Sequence, residues 1–422
     1  MASRLRTMLG GTAILALALT GCDDTPDDTA SSTTGTDADG TAGAPDAEDA
    51  DAEDTGAAAP QEADEEPQPI IEAVTEGLDQ PWGLAFLDGG PLLLVTQLPG
   101  TLSVVDTDTG EVTDLAGVPE VVVEGQGGLL DVAVDPDDDW IYLTHVSADD
   151  GATSTHLSRA RLDLDAARLD DVEVLFAVDP FLPEPPVHFG SRVVVGPDEH
   201  LYVTVGDRGS KDFDDHPSQD PSNHLGTTIR LAPDGSVPQD NPFVDDPDVR
   251  DEIFTFGHRN VQGMAVHPDT GKLWQSEHGE EDGDELNVLR AGGNYGWPVA
   301  TTACEYGTDV PVGEHPDERD DTVPPVRYWE CGTGGFAPGG MTFYDGDQFP
   351  AWQGDLFVAG LATQELARFA VDGDTAEEVE RLLGDEGWRI RDVEAGPHDG
   401  ALYLALDEAE VPIVRLVAED GG

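Results

Sequence analysis

The chain has 422 residues and a net charge of −68, from 20 Lys and Arg against 88 Asp and Glu. So acidic a surface excludes nucleic acid and anionic lipid as partners, and it suggests a salty habitat in which counterions screen the self-repulsion. Three cysteines supply too few sulfur ligands for a zinc site.

From the amino end, residues 1–21 read as a bacterial secretory signal, with Arg4 and Arg6 ahead of an apolar run over 8–19. That run is shorter than the ~20 residues of a membrane-crossing helix. It ends in Leu19-Thr20-Gly21-Cys22, the pattern at which lipoprotein signals are cut and the cysteine acylated. Residues 22–68 are then the acylated cysteine and a tether. Residues 23–68 hold sixteen carboxylates and no Lys or Arg, so of the −68 they carry −16 and leave −52 elsewhere. Such a stretch buries too little apolar surface to order itself and stays extended by its own charge. The expected location is the outer face of the cell membrane, held there by a lipid on Cys22. An exported protein keeps its remaining pair, Cys304 and Cys331, oxidised, so a disulfide is expected between them.

Residues 69–422 repeat one unit six times: an apolar alternating run, a polar turn, and a second apolar run. It appears as Gly83-Leu84-Ala85-Phe86 with Leu92-Leu93-Leu94-Val95, and as Leu130-Asp131-Val132-Ala133-Val134 with Ile141-Tyr142-Leu143. Arg192-Val193-Val194-Val195 is followed by Leu201-Tyr202-Val203, and Gly263-Met264-Ala265-Val266 by Lys272-Leu273-Trp274. The last two units are Gly340-Met341-Thr342-Phe343-Tyr344 with Leu356-Phe357-Val358, and Asp392-Val393-Glu394-Ala395 with Leu402-Tyr403-Leu404. Alternation broken by Gly, Asp or Pro is the hairpin pattern. Six such hairpins predict an all-β chain, a six-bladed β-propeller.

In a propeller the first strand of each blade lines the central channel, so the segments just before those strands meet at one mouth. They contain Gln126, His188, Arg259, Asn260, Arg389 and Arg391. Three arginines at one point, in a chain with so few cations, predict a multiply anionic planar ligand held by bidentate contacts and stacking. His188 is the only neutral-pH base among these residues.

The runs His188-Phe189-Gly190, Gly257-His258-Arg259-Asn260-Val261-Gln262-Gly263, Glu277-His278-Gly279 with Gly283-Asp284-Glu285-Leu286-Asn287, Gly293-Asn294-Tyr295-Gly296-Trp297-Pro298 and Arg389-Ile390-Arg391-Asp392-Val393 resemble the glucose/sorbosone dehydrogenase family, and within it the soluble aldose sugar dehydrogenases. The resemblance spans about residues 70–417. It implies pyrroloquinoline quinone over the channel, an aldose as substrate oxidised to a lactone, and an electron acceptor that it does not identify. It implies His188 as the base for the anomeric hydroxyl, with Gln126, Arg259, Asn260, Arg389 and Arg391 holding the cofactor. It also implies calcium, met by the carbonyls of Gly279 and Glu280 at the cofactor and by Glu285 and Tyr295 at a second, structural site. The loop from Glu277 to Asn287 is rich in the hard oxygen donors calcium needs.

The chain departs from the family at three places. Ala362 stands where a cofactor-touching lysine is usual, and no other lysine lies nearby to replace it. The segment Gly335-Phe336-Ala337-Pro338-Gly339-Gly340 lacks the common hydroxyl residues, and Glu280 replaces a proline. Two other functions stay open: a non-redox propeller that binds without the cofactor, and a calcium-dependent lactonase. The second would need carboxylates and Asn gathered on one metal in the channel, whereas the residues that meet there are Gln, His, Arg and Asn.

Overall fold

The computed structural model describes residues 69–136 and 138–419. The expected signal segment, Cys22 and the tether lie outside the described residues. The six expected hairpins are the two innermost strands of six antiparallel four-stranded sheets. The innermost strands are Pro81–Phe86, Leu129–Val134, Val193–Val195, Val261–Val266, Pro338–Phe343 and Ile390–Ala395, one for each blade in chain order. Among the described residues the only helical segments are three short 3₁₀ turns. The chain is a six-bladed β-propeller.

Both faces of each sheet are covered by the neighbouring blades, so the second strands are mostly buried, and wholly so in Leu201–Val205 and Leu402–Leu406. The core is therefore divided among the clefts between blades. Leu94, Val104, Leu143 and Ala160 join the first blade to the second. Trp274, Leu286, Phe343 and Phe369 join the fourth to the fifth. Leu84, Val95, Tyr403 and Ala405 join the sixth back to the first. Each apolar side chain so buried contributes on the order of 1.5–3 kcal/mol.

A recurring hydroxyl ties the blades together near the channel. Thr144, midway along the second blade's second strand, accepts from the amide of Asp131 at 2.9 Å and donates to the carbonyl of Ser191 in the next blade at 2.6 Å. Thr204 does the same between Arg192 at 2.9 Å and Val261 at 3.1 Å. Thr96 bridges Gly83 and Leu130 in this way, and Ser276 donates to Gly339 at 3.2 Å. Thr96, Thr144 and Thr204 thus satisfy amides of their own blades and reach across a blade boundary with one side chain.

Five of the six innermost strands carry a register irregularity at their entry: between Pro81 and Leu84, Leu129 and Val132, Val261 and Gly263, Pro338 and Met341, and Ile390 and Asp392. A bulge bends its strand and re-aims side chains. Here the bulges sit where the strands leave the pocket described below. Deeper in the channel, Arg192 is bound by Asp131 at 3.0 Å and Asp392 at 2.9 Å, and donates through Nε to the Gln262 carbonyl at 2.7 Å. This cluster links the second, third, fourth and sixth blades.

The ring is closed by the two ends of the described chain. Strand Pro69–Ala73 is the outermost strand of the sixth blade and pairs antiparallel with Val414–Ala418. Cys304 and Cys331 form the expected disulfide, with a Cα–Cα distance of 5.6 Å.

Candidate active site at the channel mouth

The strand entries enclose a pocket of about 510 Å³ lined by Gln126, His188, Arg259, Asn260, Arg389 and Arg391, together with Trp82, Gln262, His278, Gly279, Glu280 and Asp407. All six residues expected at the mouth are therefore in one place.

His188 lies just before the third blade's short inner strand, with a left-handed backbone (φ 50°). Two features hold it in that sparsely populated conformation. Its amide donates to Gln126 Oε1 at 2.8 Å. Its carbonyl lies against Gly206, where a Cβ would come within 2.1 Å of that oxygen, so only glycine fits. Nδ1 of the ring is 2.7 Å from Asp207 Oδ1. A carboxylate accepts only, so Nδ1 carries the proton and Nε2 is left with a free lone pair.

Asp207 was not legible as a site residue, yet it organises this corner. Its Oδ1 also accepts from the Gly209 amide at 2.7 Å, and Oδ2 accepts from Trp297 Nε1 at 2.9 Å, with His216 Nε2 at 3.4 Å. Burial pushes the Asp207 carboxyl up, but the His188 ring, His216 and Arg259 outweigh it and hold the group well below the usual carboxylate range. Asp207 stays charged.

His278 is a second imidazole in the pocket, so His188 is not the only ring nitrogen there. Burial, then the charges of Arg259 and Arg391, press its pKa well below 6.5. Its Nε2 meets Gln262 Oε1 at 3.0 Å, and the same oxygen accepts from Arg391 Nη1 at 2.8 Å. A neutral ring that donates to Gln262 is a positioning group.

The arginines are each matched by a carboxylate. Arg259 donates to Glu280 Oε2 at 2.7 Å and packs over Trp297 at 5.3 Å. Asp407 Oδ2 takes Arg389 Nη2 and Arg391 Nη2, each at 3.0 Å. Asn260 accepts from the Gly190 amide at 3.1 Å, which leaves its NH₂ as a donor. Ala362 lies in the pocket wall. Lys211, from a loop of the third blade, is not among the lining residues but pairs with Glu280, which is. Glu280, expected to act through its carbonyl, thus also brings a carboxylate into the pocket.

The oxygen-rich segment is less loop than expected, because Glu277 ends one strand and Glu285 begins the next, directly opposite it. Gly279 turns the chain between them, where a Cβ would meet the Asp282 carbonyl at 1.9 Å. Glu285 and Tyr295 are not part of the pocket lining. The Tyr295 hydroxyl is engaged, donating to the Val288 carbonyl at 2.7 Å and accepting from the Arg290 amide at 2.8 Å. Among the described residues no three His, Cys, Asp or Glu side chains gather as a metal centre. The donor chemistry beside Glu285 nevertheless suits a hard cation. Burial and then Glu277 push the Glu285 carboxyl well above its ordinary value. Asn287 bonds both carboxylates through Nδ2, while its fully buried Oδ1 has no partner among the described residues.

Comparison with known proteins agrees with this pocket. The glucose/sorbosone dehydrogenase family model matches residues 78–415. The chain belongs to the glucose/sorbosone dehydrogenase family. It is 37% identical to aldose sugar dehydrogenase YliI of Escherichia coli K12, over 82% of this chain and 92% of that one. A glucose dehydrogenase crystal structure superposes with a TM-score of 0.77 at 38% identity, covering 83% of this chain and all of the other. The PQQ-bound aldose sugar dehydrogenase of Streptomyces coelicolor superposes with a TM-score of 0.67 at 30% identity, covering 84% and 99%.

Proposed function

We propose that this chain oxidises the anomeric hydroxyl of aldose sugars to lactones, using pyrroloquinoline quinone and calcium, with His188 as the base. The observation that carries the proposal is the His188–Asp207 pair beside Arg259, Asn260 and Arg391 at one channel mouth. Asp207 holds the ring in the tautomer whose Nε2 accepts the hydroxyl proton, and it offsets the charge that the ring then acquires. When bound, the quinone supplies the two-electron acceptor that the protein lacks. Arg259, Arg389 and Arg391 would face its carboxylates, with the Gln126 and Asn260 amides donating beside them. Calcium would take the carbonyls of Gly279 and Glu280 at the pocket. The buried pair Glu277 and Glu285 with Asn287 Oδ1 would take a second ion, Tyr295 contributing only its main chain. The electrons would then leave for an acceptor outside the chain. Anchoring by a lipid on Cys22 belongs to the same proposal; Cys22→Ala would release the protein from the membrane fraction.

The test is reconstitution with the quinone and calcium, read by absorbance before and after an aldose is added. His188→Ala should keep the bound-cofactor spectrum while oxidation falls by roughly 10²–10⁴-fold. A wild-type protein that neither takes up the quinone nor oxidises any aldose sinks the proposal and leaves a binding module, the reading Ala362 favours.

A further inference from the structure

Lysine stands at only two positions in the chain. Lys272 pairs with Asp374, and both side chains are well exposed. Lys211 instead reaches the pocket wall, pairs with Glu280, and stands 5.1 Å over the Tyr306 ring. The Glu280 side chain is 3% exposed, although it lines an open pocket. Its two oxygens are divided between two cations, Oε1 to Lys211 and Oε2 to Arg259. Among the described residues Arg259 is otherwise little used: Nε is buried without a partner, and Nη1 has only the His278 carbonyl at 3.3 Å.

We propose that Glu280 is the pocket's own counter-anion, and that a carboxylate-bearing ligand binds by taking Arg259 and Lys211 from it. This rests on reading the pocket as the site of a polyanionic cofactor. A ligand carboxylate approaching Arg259 meets Glu280 on the same guanidinium, and like charges a few ångströms apart repel strongly where water screens them poorly. The N–H groups that hold Glu280 are the ones the ligand needs. Lys211 supplies the movable half of the exchange. Its side chain is 55% exposed, so it can turn with the incoming anion, whereas Arg259 is 4% exposed and stays. The chain thus keeps its cations in place before a ligand arrives, at the cost of a competitor that must be displaced.

The test titrates benzene-1,3,5-tricarboxylate, a planar tricarboxylate without redox chemistry, into metal-free wild type, Glu280→Gln and Lys211→Met by calorimetry. Glu280→Gln keeps the shape and removes the competing charge, so affinity should rise by roughly tenfold or more. Equal or weaker binding by Glu280→Gln, or no binding by any of the proteins, overturns the proposal. Lys211→Met alters an exposed side chain, so the fold survives even if Glu280→Gln melts early. It should bind the tricarboxylate several-fold more weakly, and unchanged affinity overturns the exchange. Pyrroloquinoline quinone titrated into the same proteins separates the two readings. A gain for the tricarboxylate with no quinone uptake supports the counter-anion and defeats the cofactor reading. Quinone uptake that Glu280→Gln does not tighten defeats the counter-anion alone.

Discussion

Asp207 receives an imidazole, an indole and a main-chain amide with two oxygens, and a second imidazole lies close by. Asp207→Asn keeps the volume but presents an NH₂ on one side, so His188 loses either its tautomer or its anchor. Turnover should fall by roughly 10²-fold or more while KM changes little, because the substrate's other contacts remain. An unchanged kcat would show that the pair does no more than pack. A second buried ring governs acid stability. Burial, and then the neighbouring His156, lower the pKa of His145 from 6.5 to about 4. The folded protein keeps this ring neutral while the unfolded chain protonates it. Its contribution is therefore complete above about pH 6.5 and is lost progressively down to about pH 4, on the order of 3 kcal/mol in all. Denaturant unfolding of wild type and His145→Gln across that window should converge as pH falls; parallel curves would refute it. The site residues readable from sequence were those whose type contrasts with the chain, such as His188, Arg259 and Arg391 among few cations. Asp207 and Asp407 were not, because a single carboxylate among 88 acidic residues carries no contrast.

Among the strands, the hydroxyls of Thr96 and Thr144 meet amides inside the register irregularities, at Gly83 and Asp131, and so satisfy donors that the bulges take out of the ladder. Thr204 is fully buried, and Thr204→Val removes both of its hydrogen bonds while preserving shape. The Arg192 amide and one acceptor site on Val261 then go unmet, at about 2–4 kcal/mol. Calorimetric unfolding should show that loss, and a valine variant as stable as wild type would mean that water replaces the hydroxyl. The inner hairpins were legible because both of their strands are apolar and bounded by turn residues. The outer strands were not. Glu111–Asp114 is mostly exposed, and Arg327–Tyr328 is two residues long, so neither leaves a pattern. The Thr and Ser that close the bridges recur at the ends of the apolar runs, but a hydroxyl there reads equally as a strand end.

Across the whole molecule, the excess of 88 acidic over 20 basic residues is a repulsion that folding must overcome. Raising KCl from 0.1 to 1 M shortens the screening length from about 10 to about 3 Å, so the melting temperature should rise across that range. A flat or falling curve would mean that the surface pairs offset one another locally. Length, charge and the sixfold repeat made the architecture legible, but the manner of its closure was not, because the pairing of Pro69–Ala73 with Val414–Ala418 joins segments that share no motif. That pairing also sets a schedule. A ribosome makes residue 69 before the other five blades and residue 414 after them, so the sixth blade stays open until all of them have emerged. A nascent chain stopped short of Val414 would hold unpaired sheet edges, a substrate for chaperones and proteases, and closure of the ring is therefore an event that follows synthesis of the other blades rather than one that accompanies it.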